Sequence, residues 1–127
     1  MKKILVVDDN KNVADLAEII LTSAGYVCTK TNNGKSCLDA VRASYQNDDG
    51  YDLILLDVAM PGFSGVDVLN ALKQEGSLER VNVAFFTASS ATSLDIADYE
   101  KMGARGCLRK PFTKAELLNF VGKHTSG

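Results

Sequence analysis

The sequence predicts an α/β fold, a doubly wound five-stranded parallel sheet with five helices. Apolar, strand-like runs begin near residues 4, 26, 53, 81 and 106, and stretches with helical periodicity lie between them. No hairpin signal joins two consecutive strands. Strands that alternate with helices through short connections are typical of a parallel sheet that is covered on both faces.

The first two helices are predicted from their apolar periodicity. The first would bury one face spaced i, i+3, i+4, i+7, i+8 and i+11, which consists of Val13, Leu16, Ala17, Ile20, Leu21 and Ala24. Gly25 supplies a C′ stop before the second strand. The second helix would bury Cys37, Leu38, Val41 and Tyr45 and end in the polar loop 46–50.

The other three helices are predicted from capping boxes, in which a hydroxyl residue is followed three positions later by an acid. These pairs are Ser64 with Asp67, Thr92 with Asp95, and Thr113 with Glu116. The third helix would bury Val66, Leu69 and Leu72 before Gly76. The fourth would end at Gly103, and the fifth would carry Ala115, Leu118 and Val121 on one face.

The apolar content of the strands predicts their order. The runs 53–56 and 81–86 are the most uniformly apolar and should be central, whereas the short run 106–108 should be an edge. Right-handed crossovers with helices on both faces then favour the flavodoxin-like order 2-1-3-4-5, with a switch point between the first and third strands. We expect one domain over residues 1–127, with a core over about residues 2–123, because no repeat or linker interrupts the chain.

Composition excludes several classes of protein. The 127 residues are 46 % hydrophobic and 24 % charged, with a net charge of −2, which is typical of a single globular domain. A nucleic-acid footprint would need a basic stripe, and a membrane span would need an apolar run of about 18 residues. Neither is present, and the N-terminus does not resemble a signal peptide, so we expect a cytoplasmic protein.

The cysteines and the single histidine carry no predicted chemistry. Cys28, Cys37 and Cys107 have no C-x-x-C spacing, and we expect reduced, mostly buried thiols. His124 has no second ligand residue at a useful spacing, so we expect an exposed position near a frayed C-terminus.

Polar residues follow four of the predicted strands at the point where each strand ends. They are Asp8 and Asp9 after the first strand, Asp57 after the third, Thr87 after the fourth and Lys110 after the fifth. The carboxyl ends of parallel strands meet in the crevice where ligands bind. Three carboxylates, a hydroxyl and an ammonium would there hold a divalent cation and a phosphoryl group. The pattern predicts a phosphorylatable aspartate.

This arrangement, together with the run D-V-A-M-P-G over residues 57–62, resembles the receiver domain of two-component response regulators over nearly the whole chain. The resemblance implies that Asp57 is the phospho-acceptor and that Asp8 and Asp9 help to bind Mg2+. It also implies a Mg2+ ligand in the Ala59 carbonyl, and a cis peptide before Pro111. It further implies that the Thr87 hydroxyl and the Lys110 ammonium contact the phosphoryl group.

The resemblance also implies partners and an output. The phosphoryl donor would be a phosphohistidine on a sensor histidine kinase or a histidine phosphotransfer protein. The output would be a downstream protein target or a fused output domain, reached through the face formed by helix 4, strand 5 and helix 5. The domain would not be a turnover enzyme. Cys107 stands where many members carry an aromatic switch residue, so that residue is absent or is replaced by Phe86 or Tyr99.

Three other functions compete with this interpretation. A haloacid-dehalogenase-like phosphatase would need a second acid at the position of Ala59. A flavodoxin-like electron carrier would need a Ser/Thr/Gly-rich loop where Asp8 and Asp9 stand. A pseudo-receiver would bind partners without phosphorylation, and the complete acid set argues against it.

Overall fold

The computed structural model describes residues 1–125, which contain one five-stranded sheet in which every pair of neighbouring strands is parallel. The strands are β1 (Lys3–Val7), β2 (Val27–Thr31), β3 (Leu53–Asp57), β4 (Asn82–Ala88) and β5 (Cys107–Lys110). Their order is β2-β1-β3-β4-β5, which confirms the predicted flavodoxin-like topology. Every residue of β3 is buried, as expected of a central strand.

Helices cover both faces of the sheet. They are α1 (Lys11–Ser23), α2 (Gly34–Gln46), α3 (Gly65–Gln74), α4 (Ser93–Lys101) and α5 (Lys114–Thr125), with a short 3-10 helix at Ser77–Glu79. One core cluster packs α2, α3 and the half-buried Tyr99 of α4 against the sheet. The other cluster packs α1 and α5 against the opposite face. None of the helices over residues 1–125 is long and apolar enough to cross a membrane.

Local hydrogen bonding explains where the helices begin. Both capping boxes expected at Ser64 and Thr92 are formed, and the reciprocal bonds of the third join Thr113 and Glu116 at 2.8 and 3.1 Å. Asn10 caps α1, because its side chain accepts from the backbone N–H groups of the next turn. These caps satisfy N–H groups that have no partner inside the helix.

The predicted buried face of α1 is partly wrong. Leu16 is 48 % exposed, Val13 is only partly buried and Ala24 is exposed, whereas the unpredicted Ala14 is buried. The apolar residues of α1 occupy more than one face, and periodicity alone cannot say which face meets the sheet. The neighbouring Ile19 is likewise exposed, at 65 %.

The same error affects α3 and α5. In α3 the unpredicted Val68 is fully buried, whereas Val66 is only partly buried. In α5 Ala115 is exposed and Leu118 is partly buried, whereas the unpredicted Leu117 is fully buried. In α2, Tyr45 is likewise only partly buried. The other predicted residues are buried as expected: Cys37, Leu38 and Val41 in α2, Leu69 and Leu72 in α3, and Val121 in α5.

The expectation for His124 is also wrong, because α5 stays packed to its last turn. The His124 ring is half-buried with its centroid 4.4 Å from that of Phe120, and its carbonyl accepts from the Asn82 side chain at 3.3 Å. Burial, followed by the charges of Lys123 and Arg105, lowers the pKa of His124. All three cysteines are free thiols, with Cys37 buried and the other two half-buried.

Candidate functional site

The strand ends form a crevice that contains every predicted site residue. A cavity of about 360 Å³ opens at the carboxyl ends of β1, β3, β4 and β5. It is lined by Asp8, Asp9, Asn10, Asp57, Val58, Ala59, Thr87, Ala88 and Lys110. The structure therefore brings together six residues that are separated by as much as 102 positions in the chain.

The two acids after β1 differ in their surroundings. Asp8 is fully buried, and its carboxylate accepts from the backbone N–H of Asn10 at 2.9 Å and from the Lys110 ammonium at 3.0 Å. Asp9 is exposed at the mouth of the crevice. Asp8 is thus already held by protein donors, whereas Asp9 faces solvent and is the more accessible carboxylate.

The three carboxylates are close enough to share a cation. Each of Asp8, Asp9 and Asp57 places one oxygen within 4.8 Å of the others. Octahedral ligands at about 2.1 Å from Mg2+ lie about 3 to 4.2 Å from one another, so small side-chain rotations complete the approach. Mg2+ prefers oxygen ligands, and the donor set of this site is entirely oxygen. The residues present therefore fit this ion.

Asp57, the acid at the end of β3, is buried. Asp57 is 4 % exposed, and its Oδ1 accepts from the backbone N–H of Ala59 at 3.2 Å. Burial, followed by the charge of Asp8, raises the pKa of Asp57 to about 6, although the charge of Lys110 acts in the opposite direction. Loss of hydration and a nearby like charge both favour the protonated form of a carboxyl group.

Lys110 connects the carboxylates across the crevice. Its ammonium lies 3.0 Å from Asp8 and 3.4 Å from Asp57. Burial lowers the pKa of Lys110, but the hydrogen bond to Asp8 and the charge of Asp57 outweigh burial, so that pKa is raised overall. Lys110 therefore remains protonated near neutral pH. The peptide before Pro111 is cis, as the resemblance implied.

The hydroxyl residue of the site lies on β4. Thr87 is 3 % exposed and points to the same face of the sheet as Phe85, because side chains two residues apart in a strand share a face. It also lines the cavity that holds Asp57. A small movement of the end of β4 would therefore change both the site and the packing under α4.

The chain is similar to known proteins over nearly its whole length. The family model described as the response regulator receiver domain matches residues 4–122. The chain belongs to this family. It is 36 % identical over 118 residues to the transcriptional regulatory protein CpxR of Escherichia coli K12, which is 93 % of this chain and 47 % of that protein. Membership of this family places the receiver domain in two-component signalling.

Solved structures agree on the fold. A response regulator receiver protein from Burkholderia phymatum is 30 % identical, with a TM-score of 0.83 over 98 % of this chain and 95 % of that one. The chemotaxis response regulator CheY4 of Vibrio cholerae is 23 % identical, with a TM-score of 0.86 over 98 % of each chain. The present chain spans about half the length of the curated relatives that it matches.

A glycine that sequence analysis did not single out shapes the receiver site. Gly65 is the first residue of α3, and its N–H donates to the Val58 carbonyl at 2.9 Å. A Cβ at this position would overlap the carbonyl oxygen of Asp57 and lie 2.9 Å from the Cα of Val58. The signal in the sequence was a glycine directly after the N-cap Ser64, where a better helix former is expected.

A larger cavity lies next to the receiver site. It has a volume of about 430 Å³ and lies between α1, β2 and α2. It shares Asp8 and Asp9 with the site, but Asp57, Thr87 and Lys110 do not line it. Its wall is an ion-pair group in which Lys11 and Lys30 each lie 2.7 Å from Asp15. The smaller cavity is the one that combines the buried Asp57 carboxylate with the Thr87 hydroxyl and the Lys110 ammonium.

Proposed function

We propose that this receiver domain accepts a phosphoryl group on Asp57 in a Mg2+-dependent reaction. The donor would be a phosphohistidine on a sensor histidine kinase or a histidine phosphotransfer protein. The observation that carries the proposal is the Asp57 carboxylate, which lies in the crevice beside two further acids and 3.4 Å from the Lys110 ammonium. Asp8 is also buried beside Lys110, but both of its carboxylate oxygens accept hydrogen bonds, from the Asn10 N–H and from Lys110. The hydrogen bond from Ala59 and the ion pair with Lys110 both involve Oδ1 of Asp57.

The acid group would hold Mg2+ in a defined way. Asp9 and Asp57 would ligate it directly together with the Ala59 carbonyl, and Asp8 would hold a metal-bound water because Lys110 and Asn10 already occupy its carboxylate. When bound, the ion would neutralise charge on the phosphoryl oxygens and favour the ionised form of Asp57.

The protein's own groups would then carry the transfer. A carboxylate oxygen of Asp57 donates an electron pair to phosphorus, and the bond from phosphorus to the donor imidazole nitrogen breaks. The imidazole nitrogen keeps that electron pair and takes a proton from solvent. Lys110, the Thr87 hydroxyl and the backbone N–H groups of Ala59 and Ala88 stabilise the phosphoryl oxygens. The product is an acyl phosphate, which water hydrolyses, so the domain would act as a timed signal rather than as a turnover enzyme.

The output would be carried by the face formed by α4, β5 and α5. Thr87 engagement with the phosphoryl group would move the end of β4, and Thr87 shares its face of the sheet with Phe85, which contacts α4. A downstream protein target or a fused output domain would bind this face differently in the two states.

Phosphorylation can be tested with acetyl phosphate and Mg2+. We expect intact-mass measurement to show one added phosphoryl group in the wild type and none in Asp57→Asn. Excess chelator should prevent the addition, and Asp9→Ala should impair it far more than the surface change Glu79→Ala. Undiminished labelling of Asp57→Asn would refute the acceptor assignment, and an unlabelled wild type would indicate a pseudo-receiver.

A further inference from the structure

The loop over residues 58–64 connects β3 to α3 and carries Ala59. Its ends are closed by two backbone hydrogen bonds, from Val58 to the Phe86 carbonyl at 3.1 Å and from Gly65 to the Val58 carbonyl at 2.9 Å. The Met60 side chain is buried in the core at 6 % exposure. These contacts hold the two ends of the loop and Met60. They do not involve Phe63, which lies in the second half of the loop.

Phe63 packs directly on a glycine of another helix. Gly34 is the first residue of α2 and is buried. A Cβ on Gly34 would lie 2.5 Å from Cδ2 of Phe63, 2.7 Å from Cγ2 of Val68 and 3.1 Å from the Phe63 carbonyl oxygen. Gly34 is not among the glycines with positive φ, so space rather than backbone conformation requires glycine here.

The contact between Phe63 and Gly34 differs from ordinary core packing. The Phe63 residue keeps 39 % of its surface exposed, so burying an aromatic ring is not its main effect. Its backbone N–H donates to the Pro61 carbonyl at 3.0 Å, within a turn in which Gly62 has a φ of +79°. Only Met60, Pro61 and Gly62 separate Phe63 from Ala59. A displaced Phe63 would therefore strain a short turn that includes a rigid proline.

We propose that Phe63, seated on Gly34, is a positioning residue for the Mg2+ site. The contact fixes the loop against the N-terminus of α2 and thereby sets the position of the Ala59 carbonyl relative to Asp9 and Asp57. This inference rests on the proposed function, in which the Ala59 carbonyl is a ligand. It adds a determinant that lies outside the crevice, since neither Phe63 nor Gly34 lines the cavity.

The first test is Mg2+ affinity in Gly34→Ala, measured by following the amide chemical shifts of Asp57 and Ala59 during titration with Mg2+ alone. Groups that orient metal ligands typically change metal affinity by about 10- to 100-fold, so we expect a loss of about tenfold. Phosphorylation by acetyl phosphate should slow in parallel. Gly50→Ala is the matched control, because a Cβ there meets only the Tyr45 ring at 3.9 Å, and it should bind Mg2+ like the wild type.

Double variants separate the loop from the helix. Gly34→Ala with Phe63→Ala removes the ring contact and should restore Mg2+ affinity to that of Phe63→Ala alone. Gly34→Ala with Val68→Ala relieves the contact with α3 and should leave affinity low. Recovery in the Val68 combination but not in the Phe63 combination would overturn the proposal, because α3 rather than the loop would then transmit the change.

Phe63→Ala alone keeps the proposal testable if Gly34→Ala does not fold. Because its ring is partly solvent-exposed, we expect a thermal midpoint close to that of the wild type but a severalfold weaker Mg2+ affinity. Wild-type Mg2+ affinity in Phe63→Ala would overturn the positioning role while leaving the proposed function intact. If the wild type itself neither bound Mg2+ nor accepted a phosphoryl group, the proposed function would fail instead.

Discussion

Asp57 is the residue at which the requirements of folding and of chemistry conflict. A carboxylate that is 4 % exposed loses hydration, and the buried Asp8 adds repulsion to that cost. Lys110 offsets only part of it, and the pKa of Asp57 rises to about 6. The same buried position places the Asp57 carboxylate 3.4 Å from the Lys110 ammonium, which would stabilise a phosphoryl group in the proposed function. The ionised Asp57 carboxylate is therefore unfavourable in this position. Lys110 compensates its charge only in part, and a bound Mg2+ would compensate it further.

This conflict predicts a pH-dependent gain in stability for Asp57→Asn in excess chelator. The folded-state pKa of about 6 exceeds the ordinary value of 3.8, so the stability contributed by the protonated acid is complete below 3.8 and is lost as the pH rises through 6. The variant should exceed the wild type in free energy of unfolding by about 1–3 kcal/mol at pH 8, and this advantage should shrink toward pH 4. Chemical denaturation across this pH range measures it.

Asp39→Asn is the control for that experiment. The Asp39 side chain is 66 % exposed and lies 3.8 Å from Arg42, so its replacement should change stability little at any pH. A constant difference between Asp57→Asn and the wild type from pH 4 to pH 8 would show that the Asp57 carboxylate does not titrate as stated.

At the scale of secondary structure, α4 is the helix held least firmly to the sheet. It has no fully buried residue. Tyr99 packs edge-on against Phe85 with ring centroids 5.2 Å apart, and the Arg109 guanidinium donates to the Ala91 carbonyl at 3.1 Å ahead of the helix. Phe85 and Cys107 are register partners on β4 and β5. The Tyr99 ring of α4 and Cys107 therefore pack against the same core cluster as Phe85.

The two candidates for the missing aromatic switch are distinguished by their packing. Phe86 is fully buried on the opposite face of the sheet, where it stacks on Phe112 with centroids 5.4 Å apart. Tyr99 lies on the face that Phe85 and Thr87 share. Tyr99 is therefore the better candidate for coupling the site to α4, although typical allosteric couplings of about 1–3 kcal/mol leave room for a weak switch.

We predict that beryllofluoride, a phosphoryl mimic, changes amide and methyl chemical shifts across residues 90–120 in a manner that depends on Tyr99. Tyr99→Leu should reduce these shifts while leaving Asp57 phosphorylation intact. Tyr26→Leu, which alters a tyrosine packed on the other core cluster, should preserve them. Small shifts in the wild type that grow in Cys107→Tyr would contradict this prediction and would indicate that the missing aromatic weakens the switch.

At the scale of the whole molecule, a well-packed sheet supports a cluster of carboxylates at the carboxyl ends of its strands. The interior residues of β1 and β3 have no exposed surface, whereas three acids meet where these strands end. A ligand that binds only the folded state stabilises it by mass action, by about 2.7 kcal/mol at 100 times its dissociation constant. Mg2+ should therefore raise the thermal midpoint of the whole domain.

Asp9→Ala should separate the repulsive and the ligating roles of the acid group. In chelator, removal of one of three clustered carboxylates relieves repulsion, so the thermal midpoint should equal or exceed that of the wild type. In saturating Mg2+ the wild type should gain stability and Asp9→Ala should gain little. Glu79→Ala should respond to Mg2+ like the wild type. An equal Mg2+-dependent gain in Asp9→Ala would show that Asp9 is not a ligand.

Much of the fold and most of the site residues could be predicted from sequence because their signals are local. Capping boxes, glycine stops and apolar runs act within a few residues, and the strand-end positions of Asp57, Thr87 and Lys110 follow directly from where those runs stop. Because the carboxyl ends of parallel strands lie on one side of the sheet, these residues are predicted to meet in a single crevice.

Only the tertiary structure determines which residues of different helices, strands and loops contact one another. The exposed Leu16, the half-buried His124 and the contact of Phe63 with Gly34 depend on how each helix and loop is seated, and periodicity does not encode this. The ion pair between Lys110 and Asp8 joins residues 102 positions apart. Local rules determine where elements begin and end, whereas these contacts depend on the packing of all five helices against the sheet, which no short segment specifies.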